Sequence, residues 1–448
     1  MLLRLPVAML RISFVALALS VPNAAFAQQA VATPAASITL EQAIVLARAN
    51  EPSFAAAAAN KRVTALDHSI AQAALLPNVS YHNQVLYTQP NGAVNGGGPV
   101  GSQAAPRFIA NNAVREYASQ GVITETFGLQ QLTAVSRASA ADAVAAAELE
   151  IARRGLVATV TGLFYQALAA DRKVEVGRRA AGEAANFTQL TQQRESAREA
   201  AHADVVKAQL LQQQRDRDLA DALLEQQKAH LDLGVLLFAD PRTAYTLAPG
   251  AVVPLPDRAD VDAAAMKLSP ELHQALASLR VSSLDVTAAR AAYLPDLALN
   301  FTYGIDAVQF AVNGREGVKN LGYSAGATLD IPVWDWLFTQ HRVRQSEIMR
   351  DAAHTALTAT QRRLIAQLDE SYAEAGTSRN QLQSLDQSVQ TATESLRLTR
   401  FRYTAGEATV LEVVDAENSL TAAEIAREDG TIRYQLALTN LQLLTGAI

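Results

Sequence analysis

The chain is written twice. Sliding residues 51–77 onto residues 269–295 makes 12 of 27 positions identical without a gap, among them Pro52 with Pro270, Arg62 and Val63 with Arg280 and Val281, and Leu66 and Asp67 with Leu284 and Asp285. Leu76 and Pro77 likewise fall on Leu294 and Pro295. A second block matches at a shift of 208 instead of 218: Arg194, Ala197, Glu199, Ala200, Val205, Val206 and Ala208 align with Arg402, Ala405, Glu407, Ala408, Val413, Val414 and Ala416. The first half therefore holds ten extra residues between the two blocks. Residues 91–99, rich in Gly and Asn and closed by Pro99, are the expected site, because exposed loop tips tolerate insertion. Two copies of one structural unit are expected, residues 28–240 and residues 260–448, joined by a linker over residues 241–259 that carries Pro241, Pro249, Pro254 and Pro256.

Prolines are absent from residues 107–240 and again after Pro332. Nothing in those stretches removes a backbone donor or blocks a helical turn. In the second, Leu382, Leu385, Val389, Ala392, Leu396, Thr399 and Tyr403 alternate spacings of three and four, the seam by which one helix packs on another. The seam stops at Thr404, Ala405, Gly406 and Glu407, where glycine permits a reversal, and a helical pattern resumes through Glu412, Val413, Asp415 and Leu420. The expected element is a helical hairpin with its tip at Gly406. Its first arm, residues 336–403, would run roughly 100 Å, and its return arm little more than half of that. A short helix over residues 39–75, stacked end to end with a return arm, would make up the difference.

Strand patterns lie between the short and the long helices. Leu297, Leu299, Phe301, Tyr303 and Ile305 alternate with Ala298, Asn300, Thr302 and Gly304. Leu321, Tyr323, Ala325, Ala327, Leu329, Ile331 and Val333 repeat the alternation; Val79, Tyr81, Val85 and Tyr87 give a weaker counterpart, and residues 117–125 the weakest. Alternation gives each strand one apolar and one polar face, as a strand between lipid and water requires. Of the 25 aromatic residues, 13 fall within residues 77–131 or 293–338, and the only tryptophans, Trp334 and Trp336, sit where strand gives way to helix. That is the distribution of an interfacial girdle. Pro77 and Pro295 are expected to end helices and start strands, and Pro332 to mark the return to helix.

Four strands cannot close a barrel, since the smallest spanning barrels have about eight. Two chains would give eight strands around a lumen filled by side chains, whereas three would give twelve and an open lumen. The expected fold class is a mixed α and β membrane protein: a long α-helical coiled-coil barrel plus four β-strands per chain, contributing to a trimeric 12-stranded transmembrane β-barrel.

Composition closes off other classes. Arg4 and Arg11, the apolar run of residues 12–19, and Ala25, Phe26 and Ala27 read as a secretory signal, residues 1–27, cleaved before Gln28. Its apolar core is shorter than the roughly 20 residues of a helical span, so membrane insertion falls to the strands. The chain has no cysteine, which leaves neither a disulfide framework nor a lipidated cysteine as an anchor. A formal charge of -6, more acidic once Arg4 and Arg11 are removed, argues against nucleic acid as a partner. The 7 histidines are scattered, with none paired at i and i+4. No phosphate loop, nucleophile elbow or dinucleotide fingerprint is present, so no catalytic residue, cofactor or resident metal is expected.

These features resemble the TolC-like outer membrane efflux proteins, and the likeness runs through both repeats. It is carried by Ile38, Thr39, Leu40, Glu41, Gln42 and Ala43, by Ala291, Ala292, Tyr293, Leu294 and Pro295 entering a strand, and by residues 403–420 at the tip. The resemblance implies a homotrimer with one barrel in outer-membrane lipid and a twelve-helix tunnel in the periplasm. It also implies that a periplasmic adaptor and an inner-membrane pump dock at the helical tips. By the same resemblance Gly406, Glu412 and Asp415 match a tip pattern in which carboxylates line the entrance, and three chains would form two acidic rings. Tyr403 matches a family tyrosine bonded to an aspartate of the other hairpin, here Asp204, in a tie that holds the entrance closed. The chain departs from the family at Ala408, where an arginine also locks the gate. Ala405, Gly406 and Glu407, with Ala197, Arg198 and Glu199 in the first repeat, are the expected adaptor contacts. Arg198 replaces the tip glycine there, so the first turn need not have the same shape.

The rival is a soluble periplasmic coiled-coil adaptor or scaffold, which would account for signal, heptads and tip without a membrane. The strands separate the two readings. The cargo, whether drugs, metal ions or proteins, is not written in the residues.

Overall fold

The computed structural model of the chain describes residues 36–87, 115–250, 254–314 and 317–446. The expected signal and the loop of residues 91–99 lie outside the described residues. Chain order runs β1 (Ala36–Ile38), α1 (Leu40–Asn50), α2 (Pro52–Ala73), β2 (Asn78–Tyr87), β3 (Arg115–Phe127), α3 (Leu129–Ser196), α4 (His202–Leu237) and β4 (Tyr245–Leu247). The second half continues with α5 (Arg258–Leu268), α6 (Pro270–Ala291), β5 (Asp296–Ala307), β6 (Leu321–Asp330), α7 (Phe338–Thr404) and α8 (Val410–Thr445). Apart from β1 and β4, each half has the same succession of two short helices, two strands, one long helix and one return helix.

Two expectations change in detail. Residues 39–75 form two helices because proline fits only the first turn of a helix, where its missing N–H costs nothing. Pro52 takes that place in α2 behind Glu51, whose carboxylate accepts the Ser53 N–H at 3.1 Å. Pro270 does the same in α6 behind Ser269, whose hydroxyl accepts the Leu272 N–H at 3.3 Å. The segment 241–259 is more than a linker: it holds β4, which pairs in parallel with β1, and α5 begins within it. Tyr245 anchors β4 by burying its ring and donating to the His230 carbonyl at 2.7 Å.

α3 has 68 residues and α7 has 67, so each runs about 100 Å. α1, α2 and α4 have 11, 22 and 36 residues, and α5, α6 and α8 repeat those lengths. A long helix is therefore matched along its whole length by three shorter ones. α3 packs against α4 below and against α2 and α1 above; α7 packs against α8 and α6 in the same way. The cores inherit the duplication. Ala47, Val160, Ala167 and Leu233 are buried in one cluster, and their shifted counterparts Ala265, Leu368, Ala375 and Leu441 are buried in the other.

The repeats interlock at two levels. α3 of the first packs on α6 of the second, and the strands merge into one antiparallel sheet of order β2-β3-β5-β6. On α7 the seam residues Leu396 and Tyr403 are buried, and Leu382, Leu385, Val389, Ala392 and Thr399 are half-buried.

Candidate functional site

Two regions are candidates, the sheet and the hairpin tips. The sheet's strands have 10, 13, 12 and 10 residues. Spanning strands need about 9–11, tilted. Register decides which side chains share a face, because directly opposed residues point the same way. Val79 faces Ile123, which faces Phe301, which faces Ala325. Tyr81 faces Gly121, then Tyr303, then Tyr323; on the β5–β6 side Leu297 meets Leu329 and Ile305 meets Leu321. All four alternating runs thus fall on one face as an apolar band, interrupted by Asn83, Ser119 and Glu125. The opposite face carries Ser80, His82, Gln84, Gln120, Asn300, Thr302 and Ser324 with several glycines.

On the apolar face the few polar side chains near the middle satisfy one another. Tyr81 and Ser119 share a hydrogen bond of 2.7 Å, and the Ser119 hydroxyl donates to Asn83 at 2.8 Å. Every residue of β6 and all of β2 except Leu86 are exposed, and both are edge strands. Pro77 stands immediately before β2 and Pro295 immediately before β5, while Pro332 lies in the extended segment between β6 and α7. Ile331 and Val333, which continue the alternation, fall beyond the end of β6. Trp334 and Trp336 follow, exposed and edge to face at 5.9 Å.

At the tips the two hairpins turn in the same way, although only the second has glycine there. Gly406 has φ 81° and Arg198 has φ 62°. In the second tip the Glu407 N–H donates to the Arg402 carbonyl at 2.8 Å and the Gly406 N–H to Tyr403 at 3.1 Å. In the first, the Glu199 N–H donates to Arg194 at 2.8 Å and the Arg198 N–H to Glu195 at 2.8 Å. Both are the same left-handed helix stop, set by backbone bonds that Arg198 makes as well as glycine does. The difference is one of strain: a side chain in this region costs roughly 1 kcal/mol. Ala197, Arg198 and Glu199 are exposed, as are Ala405, Gly406 and Glu407.

The expected gate residues separate. Tyr403 is buried, but its hydroxyl donates to Thr191 at 3.4 Å and not to Asp204. The rotation of α3 brings Phe187, Thr191 and Arg194 to the ring, leaving Asp204 half-buried in the first turn of α4 with no side-chain partner among the described residues. Glu412 is occupied locally. It forms a capping box with Thr409, receiving the Thr409 N–H at 3.1 Å while the Thr409 hydroxyl accepts the Glu412 N–H at 3.3 Å. The Thr409 backbone bond holds its carboxyl below the usual carboxylate range, and Arg402 at 3.4 Å adds to this. Asp415, three residues further along α8, is exposed.

Sequence reading missed a ladder of charges that binds the first hairpin to the second. Lys173 meets Asp429 at 2.5 Å and Arg179 meets Glu424 at 2.6 Å. Arg400 reaches both Glu183 on α3 at 3.0 Å and Glu417 on α8 at 2.7 Å. Glu417 is 5% exposed, and burial pushes its carboxyl up against the pull of Arg400. Arg215 donates to Asn418 at 2.6 Å. Nearest the tip, Arg194 crosses to Tyr403. A signal for Arg194 exists in the duplication, since it is one of the matched positions.

Residues 263–447 match the family model of outer membrane efflux proteins. The outer membrane protein OprJ of Pseudomonas aeruginosa is 26% identical over 303 residues, which is 65% of this chain and 61% of OprJ, so the chain spans less than two thirds of that relative. The pyoverdine export outer membrane protein OpmQ of the same organism is 26% identical over 421 residues, covering 91% of this chain and 83% of OpmQ. Among solved structures, a membrane protein from Pseudomonas aeruginosa superposes with a TM-score of 0.77 at 21% identity, over 91% of this chain and 93% of that one. The Campylobacter jejuni CmeC outer membrane channel gives a TM-score of 0.77 at 14% identity, over 91% and 85%. At these identities the superpositions speak to fold alone.

Proposed function

We propose that this chain is a member of the TolC-like outer membrane efflux protein family and the outer-membrane channel subunit of a tripartite export system. It conducts substrate passively from periplasm to exterior when docked to a periplasmic adaptor and an inner-membrane pump. The observation that carries this reading is the register of the sheet, which gathers the apolar residues of four strands from both repeats onto one exposed face. Lipid is the solvent that such a face needs, and water in a lumen is the solvent for the other.

Closure follows from the same sheet. β2 and β6 leave unpaired edges, which neither lipid nor a soluble protein tolerates, and a second and third copy would pair them. Three chains would supply twelve strands and an open lumen. Below the sheet, three copies of α3, α4, α7 and α8 would form the walls of a periplasmic tunnel. At its mouth Asp415 would present one ring of free carboxylates, with Glu412 engaged in starting its helix; such a ring favours cations over anions. The exposed turns at Arg198 and Gly406 are the surfaces an adaptor would meet first.

The alternative of a soluble adaptor leaves the apolar band without a purpose. Fractionation separates the two. The channel subunit is expected in the outer-membrane fraction, extractable only by detergent, and to form discrete conductance steps in planar bilayers. Recovery in the aqueous periplasmic extract, with no conductance from detergent-purified protein, would overturn the reading.

A further inference from the structure

We infer that Arg194 is the residue that holds the entrance of this channel shut, by fastening the tip of one hairpin to the tip of the other within each chain. The inference rests on the channel reading above and names a positioning residue for its gate. Tyr403, near the end of α7, lies against three successive turns of α3. Its ring meets Phe187 edge to face at 5.3 Å, and its hydroxyl reaches Thr191 at 3.4 Å. The Arg194 guanidinium stacks over it at 4.9 Å. Arg194 also donates from Nη1 to the backbone carbonyl of Tyr403. One side chain therefore holds both the ring and the backbone of a residue on the other hairpin.

The position favours a cation. α3 ends at Ser196 and α7 at Thr404, so two helix C-termini converge on this guanidinium, and each places partial negative charge there. Arg194 is mostly buried, and its Nε has only the Glu199 carboxylate nearby, at 3.6 Å. Its counterpart in the second repeat behaves otherwise: Arg402 donates to the Glu407 carbonyl at 3.1 Å and pairs with Glu412 at 3.4 Å. The duplicated arginines have divided the work, with Arg402 bracing its own turn and Arg194 crossing over. Ala408 can make no such tie. Any swing of α7 and α8 away from α3 and α4 is largest at the tip, so widening the mouth must break the Arg194–Tyr403 contact.

The test is single-channel recording of the purified full-length protein. Arg194→Ala is expected to raise open probability about tenfold, as loss of one charge-assisted contact implies. Arg194→Lys should lie between, because it keeps the charge but loses the planar stack. Tyr403→Phe should change little, since the hydroxyl reaches Thr191 only at 3.4 Å, the far end of hydrogen-bonding distance, and Asp204→Ala should change nothing. Arg194→Ala combined with Tyr403→Ala should open no further than Tyr403→Ala alone. Unchanged gating in both Arg194→Ala and Arg194→Gln, in a protein whose wild type conducts, would overturn the inference and leave the channel reading intact. If Arg194→Ala fails to fold, Arg194→Lys and Arg194→Gln decide. A wild type that forms no channels would overturn both.

Discussion

Arg154 donates from Nη1 to the carbonyl oxygen of Leu443 at 2.7 Å, joining the upper part of α3 to the last turn of α8. Its other terminal nitrogen donates to Leu268 at 2.9 Å, the last residue of α5, and its Nε to Glu150 at 2.8 Å. Carbonyls at a helix end lack partners of their own, and the helix dipole makes a cation the right one. One buried guanidinium thus closes two helices of the second repeat onto the long helix of the first. Arg154→Ala is expected to lower stability by about 2–4 kcal/mol, because it strands both carbonyls. Thermal melts of the detergent-purified protein, followed by helical signal, would show it, with Arg154→Lys intermediate.

The equal shape of the tips implies unequal strain. Arg198 occupies a left-handed position that Gly406 occupies freely. Arg198→Gly should stabilise the first hairpin by about 1 kcal/mol, and Gly406→Ala should destabilise the second by a similar amount. Amide exchange at the two turns is the suitable readout: slower opening at the first with Arg198→Gly, faster at the second with Gly406→Ala.

The tips also show what a sequence exposes and what it hides. The Gly406 reversal, the α7 seam and the strand alternation are readable because each is a local period or a local backbone need. Tyr403's partner is not, because Thr191 and Asp204 stand on different helices of the first hairpin and only the rotation of α3 decides which meets the hydroxyl. The split at Pro52 and Pro270 is visible in the duplicated block, yet a pair of matched prolines says equally well that a segment is copied and that a helix begins there. β1 and β4 have three residues each, too few for any period to register. The charge ladder is hidden for the same reason as Tyr403's partner: Lys173, Arg179 and Arg400 look like ordinary solvated charges until two hairpins are packed.

Acid should act on two of these carboxyls with opposite sign. Burial raises the Glu417 pKa above 4.5, so its folded form binds a proton more tightly than the unfolded chain and loses stability as pH rises through that raised value. Glu150, which Arg153 and Arg154 hold down to about 2, contributes stability that is present above 4.5 and lost as pH falls towards 2. Glu417→Gln should therefore be at least as stable as wild type at pH 7, with the advantage shrinking as pH approaches 4.5. Melting curves from pH 8 to pH 4 check the sign: an advantage that grows on acidification would contradict it.

Gly304 lies on β5 opposite Gln120 of β3, where the two repeats meet within the sheet. A Cβ there would stand 2.2 Å from the Ser119 carbonyl oxygen and 2.5 Å from the Gln120 Cα, both of them backbone atoms that cannot turn aside. Gly304→Val should cost more than about 3 kcal/mol and separate β3 from β5. Loss of heat-modifiable migration in mild detergent would report it. Gly326→Val, on β6 with open space where its Cβ would stand, is the control and should migrate as wild type.

The exposed edges β2 and β6 are expected to be closed by further copies into one spanning barrel. The chain has no cysteine, so cysteines placed on the polar face at Ser80, His82 or Gln84 of β2 and at Ser324 or Thr328 of β6 can be oxidised without background. In outer membranes the expected result is a ladder that ends at a covalently closed trimer, strongest for one pairing register and absent from either single cysteine across the β2–β6 edge. Only monomer after oxidation at every pairing, or a ladder that runs past three, would contradict it.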